Sequence, residues 1–186
     1  MNVYDFDKTI YPKDSSMEFY FFNLKKHPDI LLLWPMQALA LILYKTKRIT
    51  KTEMKTLFYR YFQWIPNIDQ NVLDFWAKNK HKMNAYYINQ KDSSDVIISA
   101  SPEFLLKPIC DELGVTLIAS IVDKKSGRSE ANCYGEEKPK RFRALYPTQS
   151  IEAFYSDSLS DDPMAQISKE SYLVLGQDVH PWPKTK

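Results

Sequence analysis

At 186 residues with 44% apolar side chains, the chain has material for one compact domain with a modest insertion, which excludes a disordered segment and a disulfide-stapled miniature. Its 25 basic and 23 acidic side chains leave a net charge of +2, so no overall field points to nucleic acid. Two cysteines, Cys110 and Cys133, and three scattered histidines suit neither a disulfide framework nor a transition-metal cage; a reducing cytoplasm is the expected compartment.

The first predicted strand is "NVYDF" at 2–6, and no basic segment followed by an apolar run precedes it, so no secretory signal is expected. It leads into Asp5 and Asp7, which share one strand parity and would face one side of the sheet. Two like charges so close repel, and something must compensate them.

From about residue 13 to 90 the pattern turns helical. Ser15 and Glu18 form a capping box ahead of Phe19 and Phe22, and Thr50 and Glu53 form another ahead of Met54, Leu57, Phe58, Tyr61, Phe62 and Ile65. Between them, "ILLLWPMQALALILY" at 30–44 carries no charge but is shorter than the roughly 20 residues of a spanning helix and contains Pro35. It reads as a helix buried within the insertion, with an interfacial membrane segment as the alternative. This interval holds 15 of the 26 aromatic residues, enough for a small core of its own, and "KDSS" at 91–94 reads as the linker back.

Strands follow at "DVIISA" (95–100), "TLIASIV" (116–122), "AFYSD" (153–157) and "YLVL" (172–175). Ser101 and Pro102 read as the N-cap and first residue of a helix that Gly114 closes and Pro108 bends; Pro139 and Asp162-Pro163 repeat such an opening, with Asp162 as an N-cap. Strand, helix and strand in alternation imply parallel pairing with right-handed crossovers, hence an α/β fold with a Rossmann-like open parallel sheet and an all-helical cap inserted after the first strand. The expected division is a core of residues 1–12 and 91–186 and a cap of residues 13–90. All four glycines lie at or beyond Gly114, which removes any P-loop or dinucleotide fingerprint.

Ligands of such sheets collect beyond the carboxyl ends of the strands. There, or at the helices that follow, lie "DFDKT", "SAS", "GEEKPKR" and "SDSLSDD". Each alone is an ordinary turn, cap or surface lysine; together they converge on one rim. The chemistry that uses these types is phosphoryl transfer through a carboxylate nucleophile, which splits one hard step into two through an acyl phosphate. Asp5, Asp7, Asp157, Asp161 and Asp162 would crowd one cleft, tolerable only around a hard cation such as Mg²⁺. Lys138 would add a permanent positive charge toward phosphate and Ser99 a hydroxyl donor. Asp5 would stay ionised as nucleophile. Asp7, further from the metal, would have a raised pKa and act as acid and base, and Thr9 would hold the turn.

In these residues the chain resembles the haloacid dehalogenase superfamily of phosphatases, whose four motifs match "DFDKT", Ser99, Lys138 and "DSLSD". "SASPEFL", "NCYGEEK" and "SDSLSDDPM" are similar to stretches of its phosphoserine phosphatase-like branch (subfamily IB), which also inserts a helical cap after the first strand. The resemblance implies Asp5 as nucleophile, Asp7 as acid and base, and Ser99 and Lys138 as the phosphate grip. It gives Asp5, Asp7 and Asp157 as the metal set, with Asp161 supporting. The superfamily's dehalogenases lack the second aspartate, so Asp7 argues for phosphatase. Lys8, Ala100, Ser101, Ser156 and Ser158 stand where glycines are frequent.

The expected substrate is a small phosphorylated metabolite. Two alternatives stand beside it: a phosphatase of lipid phosphates (phosphatidylglycerophosphatase-like) at a membrane surface, suggested by the apolar run and the "KTKR" after it, and a non-catalytic phosphate-binding protein of the same fold.

Overall fold

The computed structural model describes residues 1–183. A seven-stranded sheet forms its spine, built from β1 (Val3–Tyr4), β2 (Val96–Pro102), β3 (Thr116–Val122), β4 (Ser129–Ala131), β5 (Ile151–Ser156), β6 (Ser168–Leu175) and β7 (Asp178–Pro181). The spatial order is β4-β3-β2-β1-β5-β6-β7. The central five strands pair in parallel, as the alternating pattern predicts, while β4 and β7 close the edges antiparallel. Those edge strands escape a sequence reading because they are short and carry no apolar run.

β1 and β2 are near-continuous apolar residues because both faces of a parallel sheet are covered. The chain steps from β1 to β2 and β3 on one side and later to β5 and β6 on the other, so the order reverses between β1 and β5. Beyond the carboxyl ends at such a reversal, loops part and leave a crevice.

After a turn that follows β1, the insertion is built of α1 (Ser15–Lys26), α2 (Trp34–Lys45), α3 (Lys51–Tyr59), α4 (Ile68–Asn79) and α5 (Ala85–Gln90), joined by 3₁₀ turns except between α2 and α3. Thr50 caps α3 in a reciprocal box with Glu53, as expected. At α1 the box gives way to Asp14, whose carboxylate accepts from the Met17 amide at 2.9 Å, while Glu18 turns to the Tyr11 hydroxyl and Lys13. The insertion's aromatic interior is not separate, since Phe19, Phe62, Phe75 and Trp76 share one cluster with Tyr4, Phe6, Ile97 and Leu105 from the sheet side.

Residues 30–44 depart from the buried-helix expectation. They run through a 3₁₀ turn (Pro28–Leu33) into α2, where only Ile30 and Ala40 are buried, and Leu32 is 74% exposed. α2 packs on α3 and the turn before it and touches Tyr20 of α1, and a helix apolar on all sides then has a face to spare.

Among the described residues three further α-helices follow β2: α6 (Glu103–Leu113), α7 (Glu137–Leu145) and α8 (Asp162–Ala165). α6 runs through Pro108 and ends at Gly114 with φ +73°, the left-handed cap that glycine supplies without strain. Its start lies later than expected. Ser101 stays in β2, Pro102 is the N-cap, and no side chain caps the first turn. Asp162 is likewise the first residue of α8 and not its cap, its carboxylate accepting from Gln166 and Trp182.

Candidate active site

The rim at the reversal gathers the charged residues. Register pairs Tyr4 with Tyr155 and Ile97, so Asp5 leaves β1 level with the end of β5 and one residue short of Ser99 in β2, and its amide donates to the Tyr155 carbonyl at 2.8 Å. Asp157 follows β5 directly, and Ser99 lies on β2. A cavity of about 180 Å³ at this rim is lined by Asp5, Asp7, Ser99, Lys138, Asp157 and Asp161 together. Of the residues expected in the cleft or its turn, Thr9 and Asp162 lie outside it, the Asp162 carboxylate being turned to Gln166 and Trp182. Thr9 is fully buried in the turn after Asp7, where its carbonyl accepts from Asn84 and Tyr86 of the helical insertion.

Lys138, in the first turn of α7, anchors the cavity. Its ammonium is buried and donates to Asp5 Oδ1 at 2.6 Å and to Asp161 Oδ2 at 2.7 Å, and the Ser156 hydroxyl donates to that same Asp161 oxygen at 2.7 Å. Burial works against the lysine's charge, but the two carboxylates outweigh it and hold its pKa well above the usual value. Burial also pushes the Asp5 carboxyl up, and Lys138 opposes that rise. A contact of this length between buried groups is a charge-assisted hydrogen bond, so the triad stands as lysine cation and carboxylates. Asp161 fills a positioning place: it touches Lys138 and Ser156, and its second oxygen is buried with no partner among the described residues.

Asp7 sits differently. Its Oδ1 accepts the Ser15 amide at 2.8 Å, from the first residue of α1, and its Oδ2 accepts the Ser101 hydroxyl at 2.6 Å. Burial, followed by the nearby Asp14, raises its pKa to about 6 although both hydrogen bonds oppose this. Both carboxylate oxygens thus accept hydrogen bonds from within the protein, one from the start of α1 and one from β2. Ser101, read from sequence as a helix cap, is the residue that reasoning missed. The signal was available, because Ser99 and Ser101 are two apart on a strand and share a face. Ser99 Oγ accepts the Ser101 amide at 3.1 Å, which leaves its own proton to donate.

Lys8 occupies the left-handed region at φ +59°, the conformation for which glycine is suited at this turn, and its charge lines the cavity. From the helical insertion, Asp14 and Lys51 complete the walls. Lys51 lies over the Tyr134 ring, 3.2 Å from its centroid, and Lys55 donates to the Ala100 carbonyl at 2.6 Å and to Asn132 at 2.9 Å. These contacts tie the insertion to the rim.

The donor set of Asp5, Asp7 and Asp157 is all oxygen, suited to a hard cation. Among the described residues no three acidic, thiol or imidazole side chains form a ready metal cage. Mg²⁺ asks for less, one or two carboxylates with phosphate and water supplying the rest, and Asp5 and Asp157 at neighbouring strand ends fit that demand.

Comparison with known proteins agrees with this architecture. The haloacid dehalogenase-like hydrolase model matches residues 3–166. The chain belongs to this family. No curated protein matches it by sequence. Among solved structures, this haloacid dehalogenase-like hydrolase is similar in fold to a protein with unknown function from Bordetella pertussis Tohama I, with TM-score 0.71 and 16% identity over 92% of this chain and 87% of that one. It is also similar to a phosphoserine phosphohydrolase-like protein from Francisella tularensis subsp. tularensis SCHU S4, at TM-score 0.55 and 16% identity over 92% and 86% of the two chains. A phosphoserine phosphatase in apo form gives 0.53 and 14% over 91% and 82%. The hydrolase is therefore built like the phosphoserine phosphatases, with a helical insertion after its first strand.

Proposed function

We propose that this protein is a Mg²⁺-dependent phosphomonoester hydrolase of the cytoplasm, acting on a small phosphorylated substrate through an aspartyl phosphate on Asp5. Residues 13–90 serve as the cap and residues 1–12 and 91–186 as the core. One observation carries the reading: Asp5 and Asp157 at the ends of adjacent parallel strands, with Lys138 buried against Asp5 in the same cavity. Two buried free cysteines suit a reducing compartment.

Lys138 holds Asp5 by Oδ1, which leaves Oδ2 to attack phosphorus. As the ester P–O bond breaks, its electron pair leaves on the alcohol oxygen, and Asp7, protonated at its raised pKa, supplies the proton. Asp7 then takes a proton from water, whose oxygen attacks the acyl phosphate, releasing inorganic phosphate and restoring Asp5. The Ser99 hydroxyl and the Lys138 ammonium face the phosphoryl oxygens as charge builds on them. Asp5 and Asp157, with Asp7 the third residue of the set, would hold Mg²⁺, which would supply the positive charge needed for an anionic carboxylate to meet an anionic phosphate. Asp161 keeps Lys138 in place, and Thr9 fixes the turn that carries Asp7.

The test is release of phosphate from an aryl phosphate with and without Mg²⁺, for wild type and Asp5→Asn. Mg²⁺-dependent release is expected from wild type and none from the variant. Equal inactivity over a broad panel of phosphomonoesters would sink this reading in favour of a phosphate-binding protein of the same fold.

A specific observation favours a second reading, a lipid-phosphate phosphatase at a membrane surface. Leu31, Leu32, Trp34, Leu39, Leu41 and Ile42 are exposed together, and exposed Lys45, Lys47 and Arg48 follow them. Among the described residues no helix is long and apolar enough to cross a membrane. An apolar face edged by cations suits the interface of an anionic bilayer instead. Sedimentation with phosphatidylglycerol vesicles checks it; a protein that stays in the supernatant leaves the first reading alone.

A further inference from the structure

The catalytic cavity, at about 180 Å³, has room for a phosphoryl group and little besides. A leaving group must reach beyond it. Asp14 and Lys51, on its cap side, also line a second cavity of about 510 Å³, within the range of small-molecule sites. Its walls come from the insertion alone: Trp34, Ala38 and Leu41 of α2, and Met54 and Phe58 of α3. These side chains are apolar; Gln37 among them is engaged by the Tyr20 hydroxyl and the Phe58 carbonyl, and the charged groups gather at the seam with the catalytic cavity. There Lys51 reaches across to Tyr134 and Lys55 to Ala100.

A rival cavity of about 500 Å³ meets the catalytic one at Asp14 only and is ringed by Lys13, Lys25, Lys78 and Lys82. It would suit an anionic leaving group. The two-residue seam and the path along Lys51 favour the apolar side.

Resting on the phosphomonoesterase reading, we propose that the substrate's leaving group carries a hydrocarbon portion, an alkyl chain or aromatic ring, which lies between Trp34, Leu41, Met54 and Phe58 while its phosphate fills the catalytic cavity. Hydrolysis then breaks the P–O bond and leaves an apolar alcohol, protonated by Asp7, in this pocket.

The experiment measures kcat/KM for phosphate release along the n-alkyl phosphates from ethyl to octyl, whose leaving-group alcohols differ little in acidity. Each methylene that enters the pocket is expected to raise kcat/KM about threefold to fourfold until the pocket is full. Ala38→Trp, which fills the pocket from an exposed position, is expected to lower the ratio of octyl to ethyl kcat/KM by at least tenfold. Activity that is flat along the series overturns the proposal while the phosphatase reading stands. A preference for carboxylated over uncharged leaving groups of equal length overturns it in favour of the lysine-ringed cavity. Inactivity toward every phosphomonoester, aryl phosphates included, removes both. A parallel arm presents phosphatidic acid in phosphatidylcholine vesicles: hydrolysis there supports the pocket with a bilayer source, and hydrolysis of soluble octyl phosphate alone supports it with a soluble one.

Discussion

The carboxyl-end rim of the sheet and the outward face of α2 break the ordinary rule of burial in opposite directions. At the rim, Lys138 and Asp161 are almost wholly enclosed; on α2, Leu39, Leu41 and Ile42 stand in solvent. Between them, the cluster around Phe6, Tyr11, Phe75 and Trp76 obeys the rule and holds the two together. Enclosed charge costs stability unless every charge has a partner, and an exposed apolar face contributes little until something covers it. The difference teaches where the fold supplies its own partners: at the rim Lys138 pairs with Asp5 and Asp161, while the exposed side chains of α2 have no such cover.

The sharpest way to break that contrast is to unpair the rim. Lys138→Ala leaves Asp5 and Asp161 enclosed without their cation and is expected to lower unfolding free energy by about 3–5 kcal/mol. Lys169→Ala, which removes an exposed 2.8 Å pair with Glu152, is expected to change nothing measurable. Urea titrations of the two variants make the comparison. Similar losses from both would mean that the triad is not the enclosed network described.

The seam between the regions gives the next effect. Gly127, at φ +74°, lies where an added Cβ would run into the Tyr59 carbonyl of α3, whereas Gly114, at φ +73°, has open space around it. Gly114→Ala is expected to cost about 1–2 kcal/mol for the left-handed backbone alone. Gly127→Ala should cost more, because backbone cannot swing aside as a flexible side chain would. Equal melting shifts would show that the insertion gives way at this contact.

The rim was legible in the sequence because strand ends carry their own signal. "DFDKT", "SAS" and "SDSLSDD" each follow a β-rich run, and topology alone brings Asp5, Ser99 and Asp157 to one edge. The face of α2 was not legible, since fifteen uncharged residues look the same whether a neighbour covers one side or two. Asp14 displaced Ser15 as a cap for a related reason: Ser15 gives its amide to Asp7, a partner distant from any helix rule. Lys55 was equally hidden, as its acceptors Ala100 and Asn132 lie 45 and 77 residues away.

Lys55 also offers a milder probe of the seam. Burial, reinforced by Lys51, lowers its pKa from 10.5 to about 8, against the pull of Asp14 and Asp7. A folded pKa below the unfolded one means that the unfolded chain binds more protons between pH 8 and 10.5, so stability should rise across that window. Lys55→Met removes this component while leaving the other titrations common to both proteins. The melting temperature of wild type relative to the variant is expected to climb from pH 8 to 10.5. A difference that stays constant would mean that Lys55 is solvated and does not bind the insertion to the rim.

The smallest expected effect is on the α2 side, and its smallness is the point. Leu32 is the most exposed of the large apolar side chains, so Leu32→Asp removes little buried surface and should shift stability by no more than about 0.5 kcal/mol. A buried leucine replaced by aspartate would instead enclose an unpaired charge and unfold the insertion. Thermal melting of the variant therefore separates a free face from a covered one without reference to any ligand. A large loss of stability would show that the segment is packed in solution and would withdraw the membrane reading with it. An unchanged melt, joined to lost sedimentation with anionic vesicles, would show that the face serves binding and not folding.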